Sequence, residues 1–345
     1  MSMSMGNKFS NPSAQVNQSM NQMKTFGFAA GAQTAKNQSR QSVVMEAGPV
    51  VSGETGEIDM QFFDKKFNFS TTNNKFADEL ITNAKRLGGQ PGKGILATDE
   101  SNYTIGLRFE GVGVESSLEN RTQYRSMLYR DPSIGKYFSG AIMFDETARA
   151  TDKDTGKTNI QLLNEAGVLP GIKIDIGLKE IPGTFGEVAT QGLDNLPDKA
   201  KEYYEMGIRF AKWRAVIKID EANGCPSNQH IMEIAHSLAR YGACCQHAGL
   251  VPIIEPEVLM DGAHSIETCY KWSDIVLQKV VEQLKAQNLL LEGLCLKPNM
   301  VTKGLDHPSQ NDPEQVAYYT CKNLAKNLPA SVPGVTFLSG GQSEL

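Results

Sequence analysis

Leu294-Cys295-Leu296-Lys297-Pro298-Asn299-Met300-Val301 sets an apolar run against a single lysine and closes it with a proline. A short apolar run bounded in this way reads as a buried strand, and residues 289–291 ahead of it read as the turn that leaves a helix. Inside a parallel sheet such a strand leaves Lys297 at its C-terminal end, with the ammonium partly desolvated. Desolvation disfavours the charged form and frees the amine to attack a carbonyl. A strand-end lysine can also simply snorkel to water. What decides between the two is the company Lys297 keeps.

Working outward, apolar runs recur near positions 94, 140, 171, 208, 250, 293 and 335. Helical patterns are expected over 75–87, 117–128, 228–247, 272–287 and 313–327. Strand, helical stretch and strand in regular alternation predict a parallel sheet with helical crossovers. Seven units are many for an open sheet, so the expected fold is α/β, a TIM (β/α)8-type barrel. Such a barrel closes with eight strands, and only Gly340 to Leu345 follow Ser339. The chain therefore reads as stopping short of its last strand. Residues 1–60 read as a disordered extension and linker, and 61–345 as the barrel domain.

The totals narrow the function classes. A net charge of -5 over 345 residues gives no basic footprint for nucleic acid or an anionic membrane, and no apolar stretch approaches a membrane span. Six cysteines without a C-x-x-C pair suit a reducing compartment. The five histidines all lie beyond position 229, none at metal-ligand spacing, so neither a metal nor another cofactor is expected. Residues 1–45 hold seven serines and no Asp or Glu. That composition fits a transit peptide and hence a plastid; the alternative is a disordered polar tail on a cytoplasmic protein.

At the C-terminal ends of the strands stand Asp99, Lys173 with Asp175, Lys212 with Arg214, Glu255 with Glu257, then Lys297, then Ser339-Gly340-Gly341. Residues two apart on a strand point the same way, so the 212/214 and 255/257 pairs each aim two charges at the mouth where barrel enzymes do their chemistry. A lysine nucleophile needs a neighbouring cation, Lys212, to favour its neutral form. It also needs an acid to expel water and a base to move a proton. Crowded carboxylates can divide those two tasks. Ser339-Gly340-Gly341 offers free N–H groups to a phosphate.

Collinear runs sharpen this: Gly92-Lys-Gly-Ile-Leu-Ala-Thr-Asp-Glu-Ser101, Gly171-Ile-Lys-Ile-Asp175, Thr190-Gln-Gly-Leu-Asp194, Ala211-Lys-Trp-Arg214, Pro252-Ile-Ile-Glu-Pro-Glu257, Leu296-Lys-Pro-Asn-Met-Val301 and Thr336-Phe-Leu-Ser-Gly-Gly-Gln-Ser-Glu344. From about residue 75 onward the chain resembles the class I, Schiff-base fructose-bisphosphate aldolases. The resemblance implies Lys297 as the imine-forming lysine and Glu255 as the acid that dehydrates the carbinolamine, with Glu257 beside it. It implies Asp99 as the base for the C4 hydroxyl and Lys212 as a supporting cation. Lys173, Arg214, Ser101, Thr104, Arg108, Ser339 and Gly340 would hold the sugar and its phosphates. It further implies sugar-phosphate substrates, a homotetramer and, for some members, a cytoskeletal partner. Leu107 stands where the family has a lysine, and Thr104 where it has a serine. The family's eighth strand and C-terminal tail have no counterpart before Leu345. Other readings are an impaired fragment or scaffold that binds partners, and a different Schiff-base barrel.

Overall fold

The apolar runs become strands, and the strands pair in chain order. In the computed structural model, which describes residues 74–338, β1 (Gly94–Thr98), β2 (Phe138–Met143) and β3 (Leu169–Lys173) are followed by a short hairpin, β4 (Leu178–Glu180) with β5 (Val188–Thr190). Then come β6 (Phe210–Ile217), β7 (Val251–Val258) and β8 (Cys295–Leu296). One sheet runs β1-β2-β3-β6-β7-β8, and every pairing in it is parallel. Leu296 also bridges Val335 in parallel, which gives a seventh segment its place at the sheet edge. Helices Leu118–Arg130, Asn159–Glu165, Leu196–Glu205, Asn228–Ala248 and Ile266–Ala286 fill the successive crossovers. This is the curled α/β architecture of a TIM-type barrel. The tail, its boundary near residue 60, and Ser339 and Gly340 lie outside the described residues.

Two layers of apolar packing hold the elements. The larger lies between sheet and helices and includes Trp213, Tyr203, Tyr241, Leu238 and Val280, all inaccessible to solvent. The smaller closes the N-terminal end of the barrel. There the helix Ala77–Gly88 turns Leu80, Ala84 and Leu87 onto Ile142, Leu169, Phe210, Val251 and Cys295. Burial pushes the Cys295 thiol up to about 12, so it acts there as a small hydrophobe. The floor is tight: a Cβ built on Gly171 would fall 2.1 Å from the Phe210 ring, its register neighbour.

Several bounds differ from the sequence expectation, each for a physical reason. β7 runs to Val258, so Glu255 and Glu257 lie within the strand rather than beyond it; ion pairing lets them stay buried. The helix expected from 272 begins at Ile266, because Ser265 caps it by accepting from Thr268 N at 3.2 Å. The strand expected over 335–338 is a single bridge at Val335, with Thr336 N donating to Leu296 O at 2.8 Å. The β4–β5 hairpin was not expected at all. Its anchor is Glu187, a buried carboxylate that accepts from Ser227 N at 2.7 Å and faces His230 Nδ1 at 3.1 Å.

Overpacking a close-packed floor costs about 1–3 kcal/mol. Gly171→Ala should therefore lower the unfolding midpoint by several degrees. Adding Phe210→Leu should recover part of the loss, which thermal denaturation of the two variants would read.

Candidate active site

Strand alternation places the charges. Lys212 and Arg214 share a face of β6, and Glu255 and Glu257 share a face of β7, with Arg214 in register with Glu255. Lys173, at the end of β3, is in register with Lys212. Lys297 follows β8 directly, its N–H donating to Ile254 O at 2.8 Å. Asp99 follows the last residue of β1.

Four of these groups form one chain of charge. Lys297 Nζ donates to Glu255 Oε1 at 2.6 Å. Lys212 Nζ lies 3.6 Å from the other oxygen, Glu255 Oε2, and 2.7 Å from Asp99 Oδ2. The Lys212 side chain is 6% exposed and that of Lys297 17%. Burial pulls the Lys212 ammonium toward its neutral form. The carboxylates of Asp99, Glu255 and Asp175 outweigh that, so its pKa lies above the ordinary lysine value. Lys212 is thus a fixed cation. It does not sit directly beside Lys297, as expected for a neighbour that favours the neutral amine: Glu255 stands between the two lysines and Asp99 offsets the charge.

The remaining expected residues divide into three groups. Arg214 Nε is paired with Glu257 Oε2. Lys173 Nζ donates to Asp175 Oδ1 at 2.6 Å, while Asp175 Oδ2 is buried without a hydrogen-bond partner. Ser101 caps the helix Asn102–Glu110, accepting from Thr104 N at 3.2 Å, with the Thr104 hydroxyl 3.0 Å from its own. Arg108, on the same helix, is paired with Glu100 at the exposed rim.

Sequence reasoning missed the props behind these groups. Arg125 is fully buried; it donates to Glu100 O at 2.6 Å and Thr147 Oγ1 at 2.9 Å, tying the segment after β1 to the one after β2. Thr98, next to Asp99, donates to Ile142 O at 2.8 Å, so its bond with Tyr129 must be donated by the phenol. Burial raises the Tyr129 pKa, which keeps that proton in place. Arg125 and Tyr129 lie outside every motif run quoted above.

A lysine amine against a buried carboxylate, at the C-terminal end of parallel barrel strands, is equipment for carbonyl chemistry. The sequence model of the glycolytic class-I fructose-bisphosphate aldolases matches residues 79–345. Aldolase 1 of Toxoplasma gondii is 50% identical over 268 residues, covering 78% of this chain and 73% of its own length. Cytosolic aldolase 4 of Arabidopsis thaliana is 51% identical over 266 residues, 77% of this chain and 67% of its own. A solved structure of the Plasmodium falciparum aldolase, in complex with TRAP and a small-molecule inhibitor, superposes with a TM-score of 0.76 at 47% identity. It covers 77% of this chain and 76% of that one. The chain belongs to the class-I fructose-bisphosphate aldolase family. It is a carbon–carbon lyase that reversibly cleaves fructose 1,6-bisphosphate to two triose phosphates through a lysine Schiff base.

Removing the buried cation leaves Asp99 without its ion-pair partner and Glu255 with Lys297 alone, and breaking a buried pair typically costs about 3–5 kcal/mol. Because the folded pKa of Lys212 lies above its unfolded value, its contribution is complete below about pH 10.4 and fades as pH rises through the folded value. Lys212→Met should therefore show the same large stability deficit at pH 8 and pH 9.5 in urea denaturation. A deficit that vanishes by pH 9.5 would contradict the assignment.

Proposed function

We propose that Lys297 is the lysine that forms the Schiff base and that Glu255 carries the protons of that step. The observation supporting this most strongly is the 2.6 Å contact between Lys297 Nζ and Glu255 Oε1, on a carboxylate whose other oxygen faces Lys212. The amine passes a proton to Glu255 and adds to the substrate ketone, giving a carbinolamine. Glu255 returns the proton to the carbinolamine hydroxyl, which leaves as water. The protonated imine then accepts the electron pair of the breaking C3–C4 bond, leaving an enamine on Lys297.

Asp99 takes the C4 hydroxyl proton as the aldehyde departs. Its 2.7 Å pair with Lys212 holds the carboxylate in place, and the fixed positive charge of Lys212 offsets the negative charge that gathers as bonds break. Lys173, Ser101, Thr104 and Arg108 hold the phosphorylated end that leaves with the aldehyde. Ser339 and Gly340 hold the other phosphate. Arg214, tied to Glu257, orients the sugar between them.

Incubation with dihydroxyacetone phosphate and borohydride, followed by peptide mapping, tests the central assignment. Label is expected on Lys297, none in Lys297→Met, and no loss of activity in EDTA. Label on Lys212 with Lys297 unmodified would overturn it.

The acid-free composition of residues 1–45 supports a plastid address, whereas an Arabidopsis relative of similar sequence is cytosolic. A fluorescent protein fused behind residues 1–60 should enter the plastid of a plant or algal cell. Diffuse cytosolic fluorescence would assign the protein to the cytoplasm.

A further inference from the structure

A cleft of about 490 Å³ opens from Ser101, Lys173 and Asp175 and runs past Phe144 to Arg149 and Lys199. That volume is within the range of about 300–1,000 Å³ typical of small-molecule clefts. Its lining includes none of the four residues of the charge chain; Lys173, in register with Lys212, is where it comes nearest to them in the sheet.

The charges lining this cleft are mostly spent on one another. Lys173 is committed to Asp175 at 2.6 Å. Arg149 is held by Asp145 at 2.9 Å and by Glu202 at 2.7 Å. Glu146 is neutralised from behind by Arg121 at 2.7 Å and Arg125 at 3.3 Å. Asp145 also accepts from the Tyr203 hydroxyl at 2.7 Å. Lys199 differs: it makes no ion pair among the described residues, and its ammonium rests 5.7 Å from the Tyr203 ring centroid. The helix Asn102–Glu110, whose first residue lines the cleft, carries Arg108, already paired with Glu100, and an exposed Leu107.

A phosphate brings close to two negative charges into this space. Recruiting Lys173 or Arg149 means loosening an existing pair, whereas Lys199 can meet the phosphate without losing a carboxylate. We infer that Lys199 is a specificity-determining residue that binds the substrate phosphate remote from the reacting ketone. This rests on the reading of Lys297 and Lys173 given above. Lys199 takes no part in imine formation or proton transfer, so its effect is confined to substrates that carry the second phosphate.

Steady-state kinetics of Lys199→Ala and Lys199→Arg on fructose 1,6-bisphosphate and fructose 1-phosphate separate the possibilities. A lost charge-assisted contact is worth roughly tenfold or more in affinity. Lys199→Ala should therefore raise KM for the bisphosphate about tenfold with kcat little changed. It should leave kcat/KM for fructose 1-phosphate within about twofold of wild type, and Lys199→Arg should restore most of the loss. Equal losses on both substrates would show a general structural role and overturn the inference, as would an unchanged KM for the bisphosphate. Borohydride label away from Lys297 in the wild type would instead refute the underlying catalytic reading.

Discussion

A lysine ammonium that is 6% exposed cannot stay within a barrel strand unless carboxylates surround it. Lys212, on β6, meets that condition with Asp99, which follows β1, and Glu255 from the neighbouring β7. Lys212 is the cation that Asp99 and Glu255 share. The three groups therefore enforce one another, and they enforce the arrangement of the strands that carry them. Lys297 joins through the free side of Glu255. The site is thus assembled before any substrate arrives, which is the condition for charge stabilisation that costs no reorganisation during reaction.

The rest of the fold keeps this cluster at the correct height. Phe210 packs against Gly171 at the barrel floor, two residues before Lys212 and Lys173 on their strands. The helix Ala77–Gly88 seals that floor from below. At the mouth, Arg125 and Tyr129 fix the segment after β1, so Asp99 reaches Lys212 from a braced position rather than from a free loop. Floor and mouth are separate pieces of packing with separate jobs. Changes at Gly171 act on stability, whereas those at Lys199 act on substrate choice.

Much of this was legible in the sequence, for reasons that differ by residue. The helix Pro313–Asn327 matched its expected bounds because Asp312 and Pro313 give a capping signal that depends only on neighbours. Lys297 and Glu255 were legible because charged residues closing apolar runs are costly and need a reason. Glu255 and Glu257 read as the end of β7, yet both lie within it, as does Pro256 opposite Ala215. The β4–β5 hairpin left no signal because Leu178-Lys179-Glu180 is exposed and too short for a pattern. Pairing was the hardest part to foresee. Register sets Arg214 opposite Glu255, yet its guanidinium pairs with Glu257 two residues further along β7, a diagonal contact that spacing along one chain does not encode.

Asp99 and Lys212 hold each other in the barrel mouth, and the rest of the site depends on that pair. A double-mutant cycle of Asp99→Asn, Lys212→Met and the combined variant, read by urea denaturation at pH 8, measures that directly. Directly contacting residues typically couple by about 0.5–3 kcal/mol, and a buried ion pair belongs in the upper half of that range. The predicted result is a coupling energy above about 1.5 kcal/mol, with the double variant less damaged than the sum of the single ones. Additive losses within about 0.3 kcal/mol would contradict the account.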